Sequence, residues 1–174
     1  MNFLEQLVAE WLEYQGYFVR RNVHVGRRPK GGYECELDVV GFHPGRKHLV
    51  HVEPSMDADS WARRHERYSK KFAAGRKYVP DLFAGFQPLP EIEQIALFGF
   101  GGRGPYETLG GGRVVLVSEW MKETLADLEK NAFASYALPE QFLCLRTVQF
   151  VLHSDSVTAR PVAPLVSPPR RVER

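Results

Sequence analysis

Cysteine is nearly absent. Cys35 and Cys144 stand alone, in no C-x-x-C or comparable spacing, so neither a disulfide scaffold nor a thiolate metal site is expected. Two free thiols in a reducing compartment are the expectation, with the cytoplasm as default. No apolar run approaches the ~18 residues that a membrane span needs, so no membrane partner is expected. The opening residues lack a basic stretch followed by an apolar one, so no secretory leader is expected. No internal repeat is present. No serine stands in a recognisable order with histidine and aspartate, and Ser60 and Ser118 read as helix caps. The six histidines (His24, His43, His48, His51, His65, His153) are scattered.

The net charge is a bland +2, but its distribution is uneven. Arg20 to Lys30 holds five basic residues and no acid. Ser60 to Tyr78 holds seven basic residues and one acid, Glu66. The acids gather elsewhere, including Glu34, Glu36 and Asp38. Basic patches beside an acidic pocket suit a polyanion that must reach a cation, although two ordinary solvated faces would look the same.

A chain of 174 residues fits one domain and can bury a core without disulfides. Leu4, Leu7, Val8, Trp11 and Leu12 recur at helical spacing and predict a helix over Phe3 to Gln15, closed by Gly16. Glu5 borders its apolar stripe; Glu10 and Glu13 are expected to point further from the core. Strands are predicted over Tyr17–Val25, Tyr33–Phe42 and His48–Glu53, the last two joined through Pro44-Gly45. Asp59 or Ser60 would cap a helix over Trp61–Ala74, stopped by Gly75. Its inward stripe would be Trp61, His65, Tyr68 and Phe72, with Arg63, Arg67, Lys70 and Lys71 outside it. A strand over Ile92–Phe100, a glycine-rich hairpin or lid over Gly99–Gly112, and a strand over Val114–Val117 follow. Then come a helix over Glu119–Lys130 and a last strand over Thr147–His153. The order α-β-β-β-α-β-β-α-β predicts a single α/β domain over 1–157, a mixed sheet flanked by helices. The proline- and arginine-rich segment 158–174 is expected to be disordered.

Two runs carry the chemistry. Glu36-Leu-Asp38-Val-Val and His51-Val-Glu53-Pro-Ser55 each place a carboxylate on a short alternating strand. Neighbouring strands would bring Asp38 and Glu53 together as a hard-cation site. Glu34 and Glu36 would share Asp38's strand face by the period of two, with Glu36 a further ligand or simply a solvated carboxylate. His51 would share the face of Glu53, as a supporting group or an ordinary core histidine. Gly99-Phe-Gly-Gly-Arg-Gly104 lacks the following helix and acidic partner of a phosphate loop.

The succession of these motifs resembles the PD-(D/E)XK nuclease superfamily, most closely its archaeal Holliday-junction resolvase and Mrr-type branch. The helix Glu5-Gln-Leu-Val-Ala-Glu-Trp-Leu-Glu-Tyr-Gln-Gly16-Tyr17, the aspartate strand Glu36-Leu-Asp38 and the strand Leu49-Val-His-Val-Glu53-Pro-Ser55 follow in the family's order. The basic helix from Arg63 to Gly75 comes next. The likeness spans about residues 3 to 80 and rests on order and spacing. It implies a restriction-endonuclease-like fold. It also implies Mg²⁺ (or Mn²⁺) held by Glu5, Asp38, Glu53 and the Pro54 carbonyl, with hydrolysis of duplex or branched DNA. Arg20, Arg21, Arg27, Arg28, Lys30, Arg63, Arg67, Lys70 and Lys71 would hold phosphates without reading sequence.

One departure matters. The family's lysine two residues after the glutamate is Ser55 here, which cannot supply its charge. Either Lys70 or Lys71 of the next helix reaches back into the site, Lys71 being the better placed. Or the fold is kept without catalysis, as a module binding nucleic acid, a protein partner or a second copy of itself.

Overall fold

The computed structural model describes residues 2–99, 104, 106–130 and 137–154. Helix α1 (Phe3–Tyr14) starts at Asn2, whose side chain accepts from the amides of Leu4 and Glu5 while Glu5 bonds back to the Asn2 amide at 3.0 Å. That reciprocal cap satisfies donors that a helix start leaves open. Gly16, at φ 91°, reverses the chain into the sheet.

Strands β1 (Phe18–Arg27), β2 (Tyr33–His43) and β3 (His48–Ser55) form an antiparallel meander. Helix α2 (Trp61–Leu82) then crosses to β4 (Ile92–Phe98), which lies parallel to β3. Strand β5 (Thr108–Leu109) turns through Gly110–Gly111 into β6 (Gly112–Leu116), which is parallel to β4. The six-stranded mixed sheet runs β1-β2-β3-β4-β6-β5. Helices α3 (Val117–Leu128) and α4 (Leu143–His153) complete the chain as described. This is a single α/β domain, consistent with a restriction-endonuclease-like fold.

Alternation sorts the sheet into two faces. Leu49, Ala96, Phe98 and Val114 meet α2 through Tyr68, Phe72, Ala74 and Val79. Val50, Val52, Leu97 and Val115 meet α1 through Leu4 and Val8, with Trp120 of α3 beside them. Among the described residues no helix is long and apolar enough to cross a membrane.

Several expectations need correction. Residues 147–153 are not a strand but the body of α4. Its Leu145, Val148 and Leu152 pack with Leu7, Trp11 and Leu128, a helical spacing obscured by β-branched neighbours. Glu10 does not point outward. It is fully buried, and its carboxylate accepts the Leu145 amide at 2.9 Å, satisfying the first turn of α4. Helix α2 does not stop at Gly75 but continues to Leu82. Its inward stripe takes Arg64 rather than His65, which is exposed; the Arg64 guanidinium stacks 4.6 Å from the Phe98 ring centroid. Ser60 holds the N-cap position of α2 without a side-chain cap bond. Helix α3 begins at Val117, with Glu119 bonding back to the Leu116 amide at 3.1 Å, so Ser118 is not its cap. The segment 158–174, and with it the expected boundary at 157, lies outside the described residues, as does most of Gly99-Phe-Gly-Gly-Arg-Gly104.

Candidate functional site

The site begins where the β2–β3 ladder ends. The last pair is Val39↔Val52. One step further the Asp38 amide donates instead to the Glu53 carboxylate, Oε1 at 3.1 Å. The side chain thus replaces the missing ladder bond and fixes the two acids to each other. Glu53 stays in the sheet by pairing with Ala96 of β4.

The period of two does not hold across this point. Leu37 and Val40 both lie in the core beneath α2, so β2 changes face near Asp38. On β1, Asn22 falls between the pairs Arg21↔Val39 and Val23↔Leu37 and has φ 48°. Glu34 and Glu36 therefore do not join Asp38. Glu34 bonds Tyr78 and Lys77. Glu36 accepts from Asn22 at 3.1 Å and lies 3.4 Å from His24.

Lys71 comes down from α2 onto both acids. Its ammonium lies 2.5 Å from Asp38 Oδ1 and also donates to Glu53 Oε2. Lys70 is exposed and makes no ion pair among the described residues. Position 71 lies beside the buried Phe72 and across the helix turn from Tyr68, which is why it, not its neighbour, reaches the sheet edge. Burial, then the hydrogen bond and charge of Glu53, push the Asp38 carboxyl up to about 7, against the pull of the Lys71 ammonium. Burial also raises Glu53, again opposed by Lys71. Lys71 stays firmly charged: desolvation opposes its charge, but the two carboxylates outweigh it.

A second set of contacts lies behind Glu53. The fully buried His51 places Nε2 2.7 Å from Glu53 Oε1. Its Nδ1 faces the Gln94 amide nitrogen at 3.2 Å. Desolvation, helped by the nearby Lys71 charge, lowers His51 to about 3, so the ring is neutral. The Tyr68 hydroxyl donates to the Glu53 carbonyl at 3.2 Å.

Ser55 does not stand empty of charge. Its hydroxyl donates to Asp57, and an Arg67 nitrogen lies 3.3 Å from it. Arg67 is itself held by Asp57 at 2.6 Å and Asp59 at 3.1 Å. Glu5, Asp38, Glu53, Pro54, Arg67 and Lys71 line one cavity of about 430 Å³. Glu5 borders it but is engaged in the α1 cap, with Asn22 3.4 Å away. Among the described residues no three His, Cys, Asp or Glu side chains converge as a metal cage.

A scan against protein-family models and a search of the curated proteins both found no match. The geometry therefore carries the reading.

The nine candidate phosphate-binding residues divide into two groups. Arg21, Arg67 and Lys71 are engaged internally, Arg21 with Glu13 at 2.7 Å. Arg20, Arg27, Arg28, Lys30 and Lys70 are exposed, with no ion pair among the described residues, and Arg63 is exposed, 3.9 Å from Asp59. The β1–β2 hairpin carrying Arg27, Arg28 and Lys30 abuts the far half of α2, where Lys77 reaches Glu34 at 3.2 Å.

The sequence reading missed Gln94, Arg76 and the Asp57–Arg67 pair. One signal was present for the first two: Gly75, a glycine inside a long helix, is costly unless something must approach it closely.

Proposed function

We propose that this protein is a metal-dependent endonuclease that hydrolyses phosphodiesters of duplex or branched DNA, working in the cytoplasm. The observation that supports it best is the Lys71 ammonium lying on both Asp38 and Glu53 within one cavity. Two hard oxygen donors already converge there on a single positive centre. Mg²⁺ fits such a place, because it commonly takes one or two carboxylates and fills its shell with water and phosphate oxygens. Asp38 and Glu53 would hold it, with the Pro54 carbonyl and Glu5 at the cavity wall. When bound, the ion would activate water and offset charge on the phosphate. Lys71 would stay beside the reacting phosphate as the charge that Ser55 cannot provide. Arg67, one turn earlier on the same helix, would meet a phosphate oxygen at the cavity mouth. The exposed basic residues of the hairpin and α2 would hold the flanking backbone.

A second reading draws on the same contact. Lys71 neutralises the acids without any metal, and with Ser55 in the strand this suits a non-catalytic module that binds nucleic acid over its outer basic surface. Calorimetric titration of Mg²⁺ and Mn²⁺ into wild type and Asp38→Ala, with cleavage assays on duplex, single-stranded and branched DNA, separates the two. Metal binding lost in Asp38→Ala, with cutting, supports the nuclease. No cutting by wild type but cutting by Ser55→Lys identifies a binding relic. No cutting by either discards the nuclease.

A further inference from the structure

Behind Glu53 a file of polar groups runs through the packed interface of α2 with β3 and β4. Gln94 is buried on β4 and His51 is fully buried on β3. Arg76, exposed on α2, donates to Gln94 Oε1. The Gln94 amide nitrogen donates to the Phe72 carbonyl at 2.9 Å. These two bonds leave no choice in the orientation of the amide: oxygen toward Arg76, nitrogen toward Phe72 and His51. The remaining amide proton points to His51 Nδ1, 3.2 Å away, so Nδ1 must accept. The ring proton is then on Nε2, and it donates to Glu53 Oε1. Oε1 also takes the Asp38 amide, and Oε2 takes Lys71. Each polar side-chain atom of Gln94, His51 and Glu53 is thus engaged.

The backbone is fitted to it. A Cβ on Gly75 would lie 2.3 Å from His51 Nδ1 and 2.8 Å from the Gln94 amide nitrogen. The mid-helix glycine is what allows α2 to lie directly over this pair.

We infer that Arg76, Gln94 and His51 form a positioning chain that fixes the Glu53 carboxylate by dictating which ring nitrogen of His51 carries the proton. The inference rests on the reading of Asp38 and Glu53 as a cation site. None of the three touches the cavity's contents; they act through Glu53. Neutral donors hold Oε1 from behind, so Oε2 is turned toward Lys71 and the cavity. Without the chain, the ring could present either nitrogen, and Glu53 could turn away.

The test uses the full chain with ¹⁵N-labelled histidine, without metal, and long-range ¹H–¹⁵N spectra of the rings. Wild type is expected to show one buried ring locked as the Nε2–H tautomer. Gln94→Leu should yield mixed tautomers for that ring, and Arg76→Met, which leaves the amide held by the Phe72 carbonyl alone, a smaller shift in the same direction. Their Mn²⁺ affinity by calorimetry should fall about 10- to 100-fold, the usual cost of losing a group that orients a ligand. Arg76→Lys should restore both readings. A wild-type ring protonated on Nδ1 or exchanging between tautomers overturns the inference. So do variants whose spectra and Mn²⁺ affinity equal wild type. If Gln94→Leu fails to fold, Arg76→Met decides, because its side chain is at the exposed end. If wild type binds neither Mn²⁺ nor Mg²⁺, the cation-site reading fails by itself, and the tautomer spectra still decide whether the chain governs His51.

Discussion

Lys71→Met tests the centre of the site without touching either acid. Methionine keeps most of the length and the apolar stem of lysine and removes the charged, donating end. It leaves Asp38 and Glu53 face to face, their side chains 14% and 2% exposed, with no counter-ion. Breaking a buried ion pair from one side costs roughly 3–5 kcal/mol. Lys71 is 21% exposed, so water screens part of this, and about 2–4 kcal/mol is expected at pH 8.5. The loss should depend on pH. The Asp38 carboxyl, at about 7, already lies above its ordinary value. Between the unfolded and folded values the native state holds a proton that the unfolded chain has released, so stability falls as pH rises through this window. Removing Lys71 raises the acids further, and each additional unit deepens the total fall by about 1.4 kcal/mol. At pH 5.5 Asp38 is protonated with or without the lysine, so a smaller loss is expected there than at pH 8.5.

Urea unfolding in EDTA, followed by the fluorescence of Trp11, Trp61 and Trp120, measures both values. Mg²⁺ at ten times its dissociation constant should then return about 1.4 kcal/mol to the variant. A loss that is equal at both pH values, or below about 0.5 kcal/mol as for a surface pair, would refute the reasoning that Lys71 is the counter-ion of a coupled pair of acids.

Binding to duplex or branched DNA, measured by fluorescence anisotropy, should weaken about a thousandfold between roughly 50 and 200 mM salt if about six phosphates are contacted; a flat dependence removes nucleic acid as the partner. Asp38→Asn with Glu53→Gln should tighten DNA binding in EDTA and abolish any tightening by Mg²⁺, since the two acids repel phosphate until a divalent ion is present. Gly75→Ala should destabilise by about 1–3 kcal/mol in urea unfolding despite the better helix propensity of alanine, because the new methyl meets the pinned His51 ring. Glu10→Ala leaves the Leu145 amide unsatisfied and should cost about 1–3 kcal/mol, with hydrogen exchange rising first at the start of α4.

The legible part of the sequence was the part governed by local rules. The first helix and the meander around Asp38 and Glu53 follow from apolar period, caps and turns and appear close to their expected spans, while the crossover helix starts where expected but runs on past Gly75 to Leu82. The reach of Lys71 was readable because one residue on a helix differs from its neighbour by about 100° of rotation. What failed depended on partners distant in the chain. Helix α4 reads as a strand until Leu128 and Glu10 are known to lie against it. Gly75 reads as a stop because glycine usually is one, and only the approach of His51 and Gln94 explains it in mid-helix. Strict alternation puts Glu34 and Glu36 on the face of Asp38, and the face change near Asp38 undoes it. Ser55 reads as a bare loss of charge until Asp57 and Arg67 are seen around it.

The charge inside the cavity bears on the choice between the two readings. Its lining carries four carboxylates, Glu5, Asp38, Glu53 and Asp57, against two cations, Arg67 and Lys71. Both cations are already paired with those acids or with Asp59. A phosphodiester entering this cavity alone would meet more negative than positive charge, at short range and in partial burial, where repulsion is poorly screened. Arg20, Arg27, Arg28, Lys30 and Lys70, exposed and without an ion pair among the described residues, lie outside it on the hairpin and α2. A protein that only bound DNA would use that outer surface and would gain nothing from holding buried acids at its edge, where they cost desolvation energy. A protein that admits a divalent cation gains from both: the outer charges dock the backbone, and the ion would offset the cavity's excess negative charge beside the phosphate to be cut. The buried bonds that orient Glu53 fit this second arrangement, since a carboxylate that merely repelled phosphate would not need its oxygens assigned one by one.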